Sequence, residues 1–114
     1  MRVAIVGSRD LRNNEEYWYN KICGSVPKNC TEIVSGGAEG IDTLARRYAK
    51  EHGLLLKEFL PEYERYGKSA AFVRNGRIVE YAHMVIAFWD GQSKGTADTI
   101  VKCYQLDKPV EIFM

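Results

Sequence analysis

The sequence predicts an α/β fold, a three-layer α/β/α sandwich around a five-stranded parallel sheet. Five short apolar runs alternate along the chain with helical apolar periodicity, in the order βαβαβαβαβ. The runs are apolar at consecutive positions, which is typical of parallel strands covered on both faces. A length of 114 residues, 46% of them hydrophobic, suits one domain over residues 1–114. For the strands we predict the order 3-2-1-4-5, with right-handed crossovers.

The first half of the chain begins with "RVAIVG" (Arg2–Gly7), which predicts a central strand. Helix one follows Asn13, its predicted N-cap, and its apolar face consists of Trp18, Ile22 and Val26. After "TEIVS", the second strand, a helix is indicated by apolar residues at i, i+3, i+4 and i+7, namely Ile41, Leu44, Ala45 and Tyr48. His52 and Gly53 close its last turn.

The second half begins with "LLLKEF", a third strand, and Pro61 then opens a longer connection. Ser69 is predicted to cap a third helix, whose inward face is Phe72, Val73, Val79 and Ala82. "HMVIAFW" is the most apolar strand. The helix that follows has an apolar face of Ala97, Ile100, Val101 and Tyr104, and "VEIF" forms the last strand.

The composition restricts the class of partner. The net charge is +1 with dispersed Lys and Arg, which argues against nucleic acid. No apolar run approaches the roughly 20 residues of a membrane span, so we expect no membrane partner and a cytoplasmic location. The cysteines Cys23, Cys30 and Cys103 have no CxxC spacing and lie far in sequence from both histidines. We therefore predict neither a metal site nor a disulfide framework, and no cofactor is indicated.

Three loops that leave predicted strands have the composition of anion-binding loops: "GSRD", "SGGAEGID" and "DGQSKGT". In the predicted strand order they are neighbours at the carboxyl edge of the sheet, where ligands collect. Successive glycines let backbone N–H groups face one concavity, and a helix that begins there adds the positive end of its dipole. Hydroxyl and cationic side chains in these loops add donors for a phosphate: Ser8, Arg9, Ser35, Ser93, Lys94 and Thr96.

Each feature also has a structural interpretation. Glycine-rich turns between a strand and a helix serve close packing in many α/β proteins. The helix dipole stabilises Asp42 whatever the function, and Asp98 is equally ambiguous between a structural and a ribose-binding or catalytic role. Arginines on helices, such as Arg74, are mostly solvated. The aromatic residues that could stack on a base are also typical of core or rim packing: Tyr63, Tyr66, Tyr81 and Trp89.

The combination of "GSRD", "VSGGAEGIDTLA", "RN" at Arg74 and Asn75, "AFWDGQSKGTADTI" and a last "KPVEIF" strand resembles the SLOG superfamily over nearly the whole chain. This Rossmann-like group includes the Lonely Guy phosphoribohydrolases and the DNA-processing protein A family, and the sequence is most similar to its small YspA-like, cpYpsA-related branch. The resemblance implies a nucleotide or nucleotide-derived ligand at the carboxyl edge of the sheet. It also implies that the possible partners include a second copy, because dimers are common in the superfamily.

The resemblance implies a set of ligand-binding residues, namely Gly7, Ser8, Arg9, Ser35, Gly36, Gly37, Gly40, Asp42, Arg74, Asn75, Gly91, Lys94, Gly95 and Thr96. Arg74 corresponds to an arginine that serves catalysis in the phosphoribohydrolases. Their PGGxGTxxE motif ends in a catalytic glutamate, but Asp90-Gly91 replaces its opening and Thr99 stands at the position of the glutamate. Asp98 is one position early and is rotated by roughly 100° on a helix.

Binding or sensing of a nucleotide is therefore the leading hypothesis, with Asp42 near the ribose. The alternative is an N-glycosidic hydrolase or transferase in which Arg74 orients the phosphate. In that case Asp42 or Asp98 would stabilise the charge that develops on the sugar. Whether the protein is an enzyme stays open at this point. Single-stranded DNA binding, the third hypothesis, is disfavoured by the near-neutral charge.

Overall fold

The computed structural model describes residues 1–114, and its five strands form one parallel sheet. In chain order they are β1 (Arg2–Gly7), β2 (Glu32–Ser35), β3 (Leu55–Glu58), β4 (Met84–Phe88) and β5 (Val110–Phe113). Their order in the sheet is β3-β2-β1-β4-β5, which confirms the prediction. Because β1 lies between β2 and β4, the direction in which strands are added reverses beside it.

Four longer helices and two short turns connect these strands. They are α1 (Glu15–Ser25), α2 (Ile41–Glu51), α3 (Tyr63–Tyr66), a 3₁₀ turn (Gly67–Ser69), α4 (Ala70–Tyr81) and α5 (Lys94–Gln105). The short helix and the 3₁₀ turn lie in the connection after Pro61, where the sequence predicts no regular element. None of the helices combines the length and the apolar composition needed to cross a bilayer.

Two apolar clusters on opposite faces of the sheet account for the three layers. Alternate residues of β1 face each side: Val3 and Ile5 pack with α1 and α2, whereas Ala4 and Val6 pack with α4 and α5. The consecutive apolar residues of β1 and β4 therefore fill two cores, as a doubly covered parallel sheet requires. The predicted α/β/α sandwich is confirmed.

The structure corrects the predicted helix caps. Asn14, not Asn13, occupies the N-cap position of α1, and its side chain makes no capping hydrogen bond. A turn closed by the Asn14 N–H and the Leu11 carbonyl places Asn13 in the left-handed region, with a φ of 60°. Ser69 precedes α4 as predicted, but its hydroxyl does not cap the helix. The preceding 3₁₀ turn already leads the backbone into helical geometry.

Parts of two predicted helix faces are also wrong. Phe72 on α4 is exposed, as are Val101 and Tyr104 on α5. Arg74 and Asn75 are buried on the side of α4 where apolar residues are expected. Strand β3 lies at the sheet edge, so its leucines remain largely exposed despite their apolar character. The spacing of apolar residues indicates which side of a helix packs on the core. It does not indicate that two polar residues on that side are buried beside a cleft.

Candidate functional site

A cleft of about 440 Å³ opens at the carboxyl edge of the sheet, beside the point where the strand order reverses. The loops after β1, β2 and β4 surround it together with the first turns of α4 and α5. Ten residues singled out in the sequence line it: Gly7, Ser8, Arg9, Gly36, Asp42, Arg74, Asn75, Ser93, Gly95 and Thr96. The three loops are therefore neighbours at this edge.

Other residues singled out in the sequence do not line the cleft: Ser35, Gly37, Gly40, Gly91, Lys94 and Asp98. Conversely, the cleft contains residues that were not among the predicted ligand-binding residues, including Asp10, Phe72, Asp90 and Thr99. Asp10 and Asp90 belong to the loops that the sequence indicated, so a wider selection within each loop would have found them. Phe72 lies three positions before Asn75, and that spacing places both on the same side of a helix.

Ser8, at the end of β1, has the most unusual environment in the cleft. It is only 7% exposed, and its Oγ is the one buried side-chain polar atom in the chain without a hydrogen-bond partner. The hydroxyl is close enough to Asp90 to lower the pKa of that carboxyl slightly, but the geometry is not that of a hydrogen bond. Buried polar groups without partners are rare, because each costs free energy. A ligand in the cleft is a natural partner for this hydroxyl.

Arg74 is fixed from several sides at the start of α4. Its Nη1 donates to the carbonyl oxygens of Gly36, at 2.7 Å, and Phe59, at 3.4 Å, while Nε donates to Asn75 Oδ1 at 3.0 Å. Nη2 has no acceptor within the chain. Burial lowers the pKa of Arg74, and the nearby Asp42 opposes that shift. The guanidinium is thus held rigidly with one nitrogen available to an anion.

Asp42 supports this arrangement from the first turn of α2. The side chain is 7% exposed, and its Oδ2 accepts the Ala38 N–H at 3.1 Å. Burial raises the pKa of Asp42, whereas the Ala38 N–H and the charge of Arg74 lower it. A Cβ at Gly36 would overlap the Arg74 guanidinium and lie 3.0 Å from Asp42 Oδ2. Glycine at position 36 therefore leaves the space in which the arginine and the carboxylate meet.

The two helix N-termini at this edge differ in what they can offer an anion. The first amide of α2, that of Ile41, donates to the Ser8 carbonyl at 3.1 Å. A Cβ at Gly40 would overlap that carbonyl, so Gly40 serves the close approach of two loops. The Lys94, Gly95 and Thr96 amides at the start of α5 have no acceptor within the chain. The α5 terminus therefore presents N–H groups without an acceptor, and two of the residues that carry them, Gly95 and Thr96, line the cleft.

Some of the remaining amides of the glycine-rich loops are occupied by groups of the same loops. Gly37 N–H donates to Ser35 Oγ at 3.3 Å. In the β4–α5 loop, Asp90 Oδ1 accepts the N–H groups of Gln92, at 2.8 Å, and Ser93, at 2.7 Å. These two hydrogen bonds lower the pKa of Asp90, so its carboxyl is ionised at neutral pH. The loops after β2 and β4 thus hold their own shape with groups that the sequence assigned to a ligand.

The two alternative catalytic positions lie in different surroundings. Asp98 is held outside the cleft, by Asn75 Nδ2 at 3.1 Å and by Lys102 Nζ at 2.6 Å. Thr99 lines the cleft, is 2% exposed and donates its hydroxyl to the Gly95 carbonyl at 3.2 Å. The rotation expected between positions 98 and 99 is thus observed, and the position that faces the cleft carries no carboxylate.

Comparisons with known proteins agree with this architecture. The model of the family described as DNA recombination-mediator protein A matches residues 1–54, a segment that contains β1, β2, α2 and two of the loops at the cleft. The X-ray structure of TM1055, a target of the Northeast Structural Genomics Consortium, is similar over 96% of this chain and 71% of its own, with a TM-score of 0.73 and 20% identity. Together these matches support the predicted resemblance to the SLOG superfamily.

The structural match at 20% identity concerns the fold, which TM1055 shares. No curated protein sequence matches this chain significantly. The family match covers the first strand, the glycine-rich loop after β2 and the whole of α2, but ends before α4 and α5. The family match supports a nucleotide-related function in general. Arg74, Thr96 and the other cleft residues from α4 and α5 are therefore interpreted from their own geometry.

Proposed function

We propose that this protein binds or senses a nucleotide or nucleotide-derived ligand in the cleft at the carboxyl edge of its sheet. The observation that carries the proposal is the buried Ser8 hydroxyl, which lacks a partner and lines that cleft. If the protein bound no ligand, its folded state would be more stable with this hydroxyl hydrogen-bonded within the chain, or with no hydroxyl at this position. A buried hydroxyl without a partner in the lining of a polar cleft is consistent with a role in binding.

The groups around Ser8 are suited to one phosphate. The Gly95 and Thr96 amides at the start of α5 have no acceptor, and the Ser93 and Thr96 hydroxyls lie 3.3 Å apart beside them. Arg9 and Arg74, which also line the cleft, supply positive charge. A helix N-terminus combined with charge-assisted hydrogen bonds is a common phosphate-binding arrangement. In this proposal the phosphate lies between α5 and Arg74. The predicted ligand-binding residues that do not line the cleft shape the loops around it.

The carboxylates of the cleft suggest where the rest of the ligand lies. Asp10 and Asp90 are exposed and line the cleft together with the buried Asp42. Three carboxylates against two arginines leave no excess of positive charge, so a ligand with several phosphates is disfavoured. Carboxylate oxygens are good acceptors for ribose hydroxyls. A compact ligand with one phosphate and one sugar therefore fits the charge pattern best.

A hydrolase or transferase activity stays a prediction that no specific contact favours. Asp42 accepts a backbone N–H and faces Arg74, and Asp98 is paired with Lys102 outside the cleft. Neither carboxylate is free to stabilise a developing charge on a sugar. The assay is release of free base from nucleoside monophosphates. Activity that survives both Asp42→Asn and Asp98→Asn would exclude both residues as its carboxylate.

The binding proposal is tested by thermal unfolding with nucleoside monophosphates, dinucleotides and ADP-ribose at millimolar concentration. A ligand at 100 times its Kd stabilises the folded state by about 2.7 kcal/mol. For a chain of this length, that corresponds to a rise in Tm of roughly 11 °C. The matched variant Thr96→Val keeps the shape of the side chain and removes its hydroxyl, so it should show a smaller shift. The absence of a shift with every ligand would refute the proposal.

Three further predictions about partners and location stay open to experiment. A mobility shift with single-stranded DNA that weakens with added salt would support the DNA hypothesis, which the near-neutral charge and the acidic cleft disfavour. Sedimentation would detect the homodimer that we predict from the superfamily. The cytoplasmic location is testable by fractionation.

A further inference from the structure

The only two histidines of the chain, His52 and His83, hold their Nδ1 atoms against groups of opposite hydrogen-bonding character. His83 Nδ1 lies 2.8 Å from the backbone nitrogen of Arg2, whose N–H can only donate. His52 Nδ1 lies 2.9 Å from the carbonyl oxygen of Tyr48, which can only accept. The first contact requires a bare Nδ1, and the second requires a protonated one. The His83 contact therefore exists only with a neutral ring, whereas the His52 contact is compatible with either charge state.

His83 joins the first residue of β1 to the start of β4. Its backbone N–H donates to the Arg2 carbonyl oxygen at 2.8 Å, and its imidazole accepts the Arg2 N–H. The regular ladder between the two strands begins one step later, at Val3 and Met84. The imidazole thus has the role that a backbone carbonyl has in the ladder. We call these two hydrogen bonds between Arg2 and His83 the His83 clasp.

The charges that act on the His83 ring are all positive. They belong to the Arg2 side chain, the amino group of Met1 and Lys108, which precedes β5. Loss of hydration in the folded chain lowers the pKa of His83 below its ordinary value of 6.5, and the three cations lower it further. The surroundings of the His83 clasp therefore disfavour a second charge on the ring.

Two of these cations are fixed at the end of α4. Arg2 Nε donates to the Tyr81 carbonyl at 2.7 Å, and Lys108 Nζ donates to the Ala82 carbonyl. The Arg2 guanidinium also lies over the Tyr81 ring, 4.5 Å from its centroid. The carboxylate joined to this group is that of Glu32, which accepts the Tyr81 hydroxyl at 2.7 Å and forms no ion pair with the imidazole. The cations are thus held in place whether the ring is charged or neutral.

We infer that the His83 clasp is a pH-sensitive connection, which holds β1 to β4 at neutral pH and opens when the imidazole gains a proton. A proton on Nδ1 turns the acceptor into a donor that faces the Arg2 N–H, so the hydrogen bond is lost. Repulsion from Arg2 and Lys108 acts in the same direction. The stabilising contribution is therefore complete above the unfolded-state pKa of about 6.5, and it is lost as the pH falls through the lower pKa of the folded state.

The His83 clasp is separate from the proposed ligand site. Ser8 and Asp90, which line the cleft, follow the carboxyl ends of β1 and β4, whereas Arg2 and His83 lie at the amino ends of the same strands. His83 is exposed, so a proton reaches the ring without unfolding of the chain. Acid should thus loosen the start of the central strand, and this inference does not depend on the identity of any ligand.

His83→Asn separates the hydrogen bond from the titration. The Oδ1 of asparagine can occupy the position of Nδ1 and accept the Arg2 N–H, but it does not titrate. His83→Ala removes the acceptor at every pH. His52→Asn is the matched control, because it removes the imidazole whose contact does not require a neutral ring. Comparison of each variant with the wild type at the same pH cancels the contributions of other groups, such as Asp42.

The assay is urea unfolding of the wild type and the three variants at about pH 7.5 and about pH 5.0. Between these pH values the unfolding equilibrium constant of the wild type, divided by that of His83→Asn, should rise by about fivefold, the scale of one hydrogen bond. His52→Asn should retain the acid-induced change of the wild type. His83→Ala should be less stable than His83→Asn at both pH values.

NMR of the imidazole nitrogens tests the structural basis of the inference. At neutral pH, His83 should carry its proton on Nε2 and His52 on Nδ1. The Arg2 amide resonance should shift as the pH is lowered through the titration of His83 in the wild type, but not in His83→Asn. A ratio of unfolding constants that does not change with pH would overturn the inference. So would equal stability of His83→Ala and His83→Asn, or an Nδ1 proton on neutral His83.

Discussion

Ser8→Ala should raise the stability of the free protein and weaken its ligand binding. The buried hydroxyl has no hydrogen-bond partner, so alanine removes an unsatisfied group and leaves only a very small void. An unsatisfied buried polar group costs about 1–3 kcal/mol. With part of that offset by lost packing, we expect the free energy of unfolding to rise by about 1 kcal/mol. For 114 residues this corresponds to a rise in Tm of roughly 4 °C.

Ser35→Ala is the matched control, because it makes the same change at a buried serine whose hydroxyl has a partner. Ser35 is fully buried, and its Oγ accepts the Gly37 N–H at 3.3 Å. Removal of that acceptor leaves a backbone N–H unpaired, so the free energy of unfolding should fall by about 1 kcal/mol. The two serine substitutions are thus expected to have opposite signs.

The assay is urea unfolding of the wild type and both variants, followed by nucleotide titrations of the folded proteins. A hydrogen bond to a charged group contributes about 1.5–3 kcal/mol, so Ser8→Ala should raise the Kd by roughly tenfold or more. If Ser8→Ala destabilises the free protein as much as Ser35→Ala does, the Ser8 hydroxyl is already satisfied and the reasoning fails. An unchanged Kd would refute its role in binding.

Three other predictions concern charge and reactivity. Burial raises the pKa of Asp42, so the folded chain retains this proton at a higher pH than the unfolded chain does. The contribution of Asp42 therefore makes the free energy of unfolding decrease as the pH rises from about 3.8 through the raised pKa. Asp42→Asn should remove this pH dependence, which is measured by urea unfolding between pH 3.5 and 7. Arg74→Lys should lower the free energy of unfolding by about 2 kcal/mol, because an ammonium cannot donate to Gly36 and Asn75 together. A decrease of less than about 0.5 kcal/mol, measured by calorimetry, would contradict this prediction. Burial raises the pKa of the Cys103 thiol to about 11. A thiol reagent at pH 8 should therefore modify only the exposed Cys23 until the protein unfolds. Rapid labelling of Cys103 would contradict its burial.

The sequence was sufficient for the sheet, because each strand is marked by consecutive apolar residues and each connection by helical periodicity. Strand order followed from general rules of α/β connection and from the resemblance to a known superfamily. The errors lie at the sheet edge and on α4 and α5. Leu55, Val101 and Tyr104 are apolar yet exposed, since periodicity does not tell how far a core extends across a helix face.

The site was predictable at the level of loops and less so at the level of groups. The sequence indicated which loops meet at the cleft, but not that Asp90 and Ser35 accept N–H groups of their own loops. Whether a backbone N–H is free depends on the rotamers of nearby side chains, which leave no periodic signal. Arg74 illustrates the same limit, because its burial results from contacts with loops far away in sequence.

The central claim is that a phosphate-bearing nucleotide binds between the α5 N-terminus and Arg74. The most direct measurement is a nitrogen–proton NMR titration of the labelled protein with nucleoside monophosphates. The account predicts saturable shifts of the Gly95 and Thr96 amides, which have no acceptor within the chain, and little change at the Ile41 amide, which is bonded to the Ser8 carbonyl. Saturable shifts confined to another surface, or no shifts at millimolar nucleotide, would contradict it.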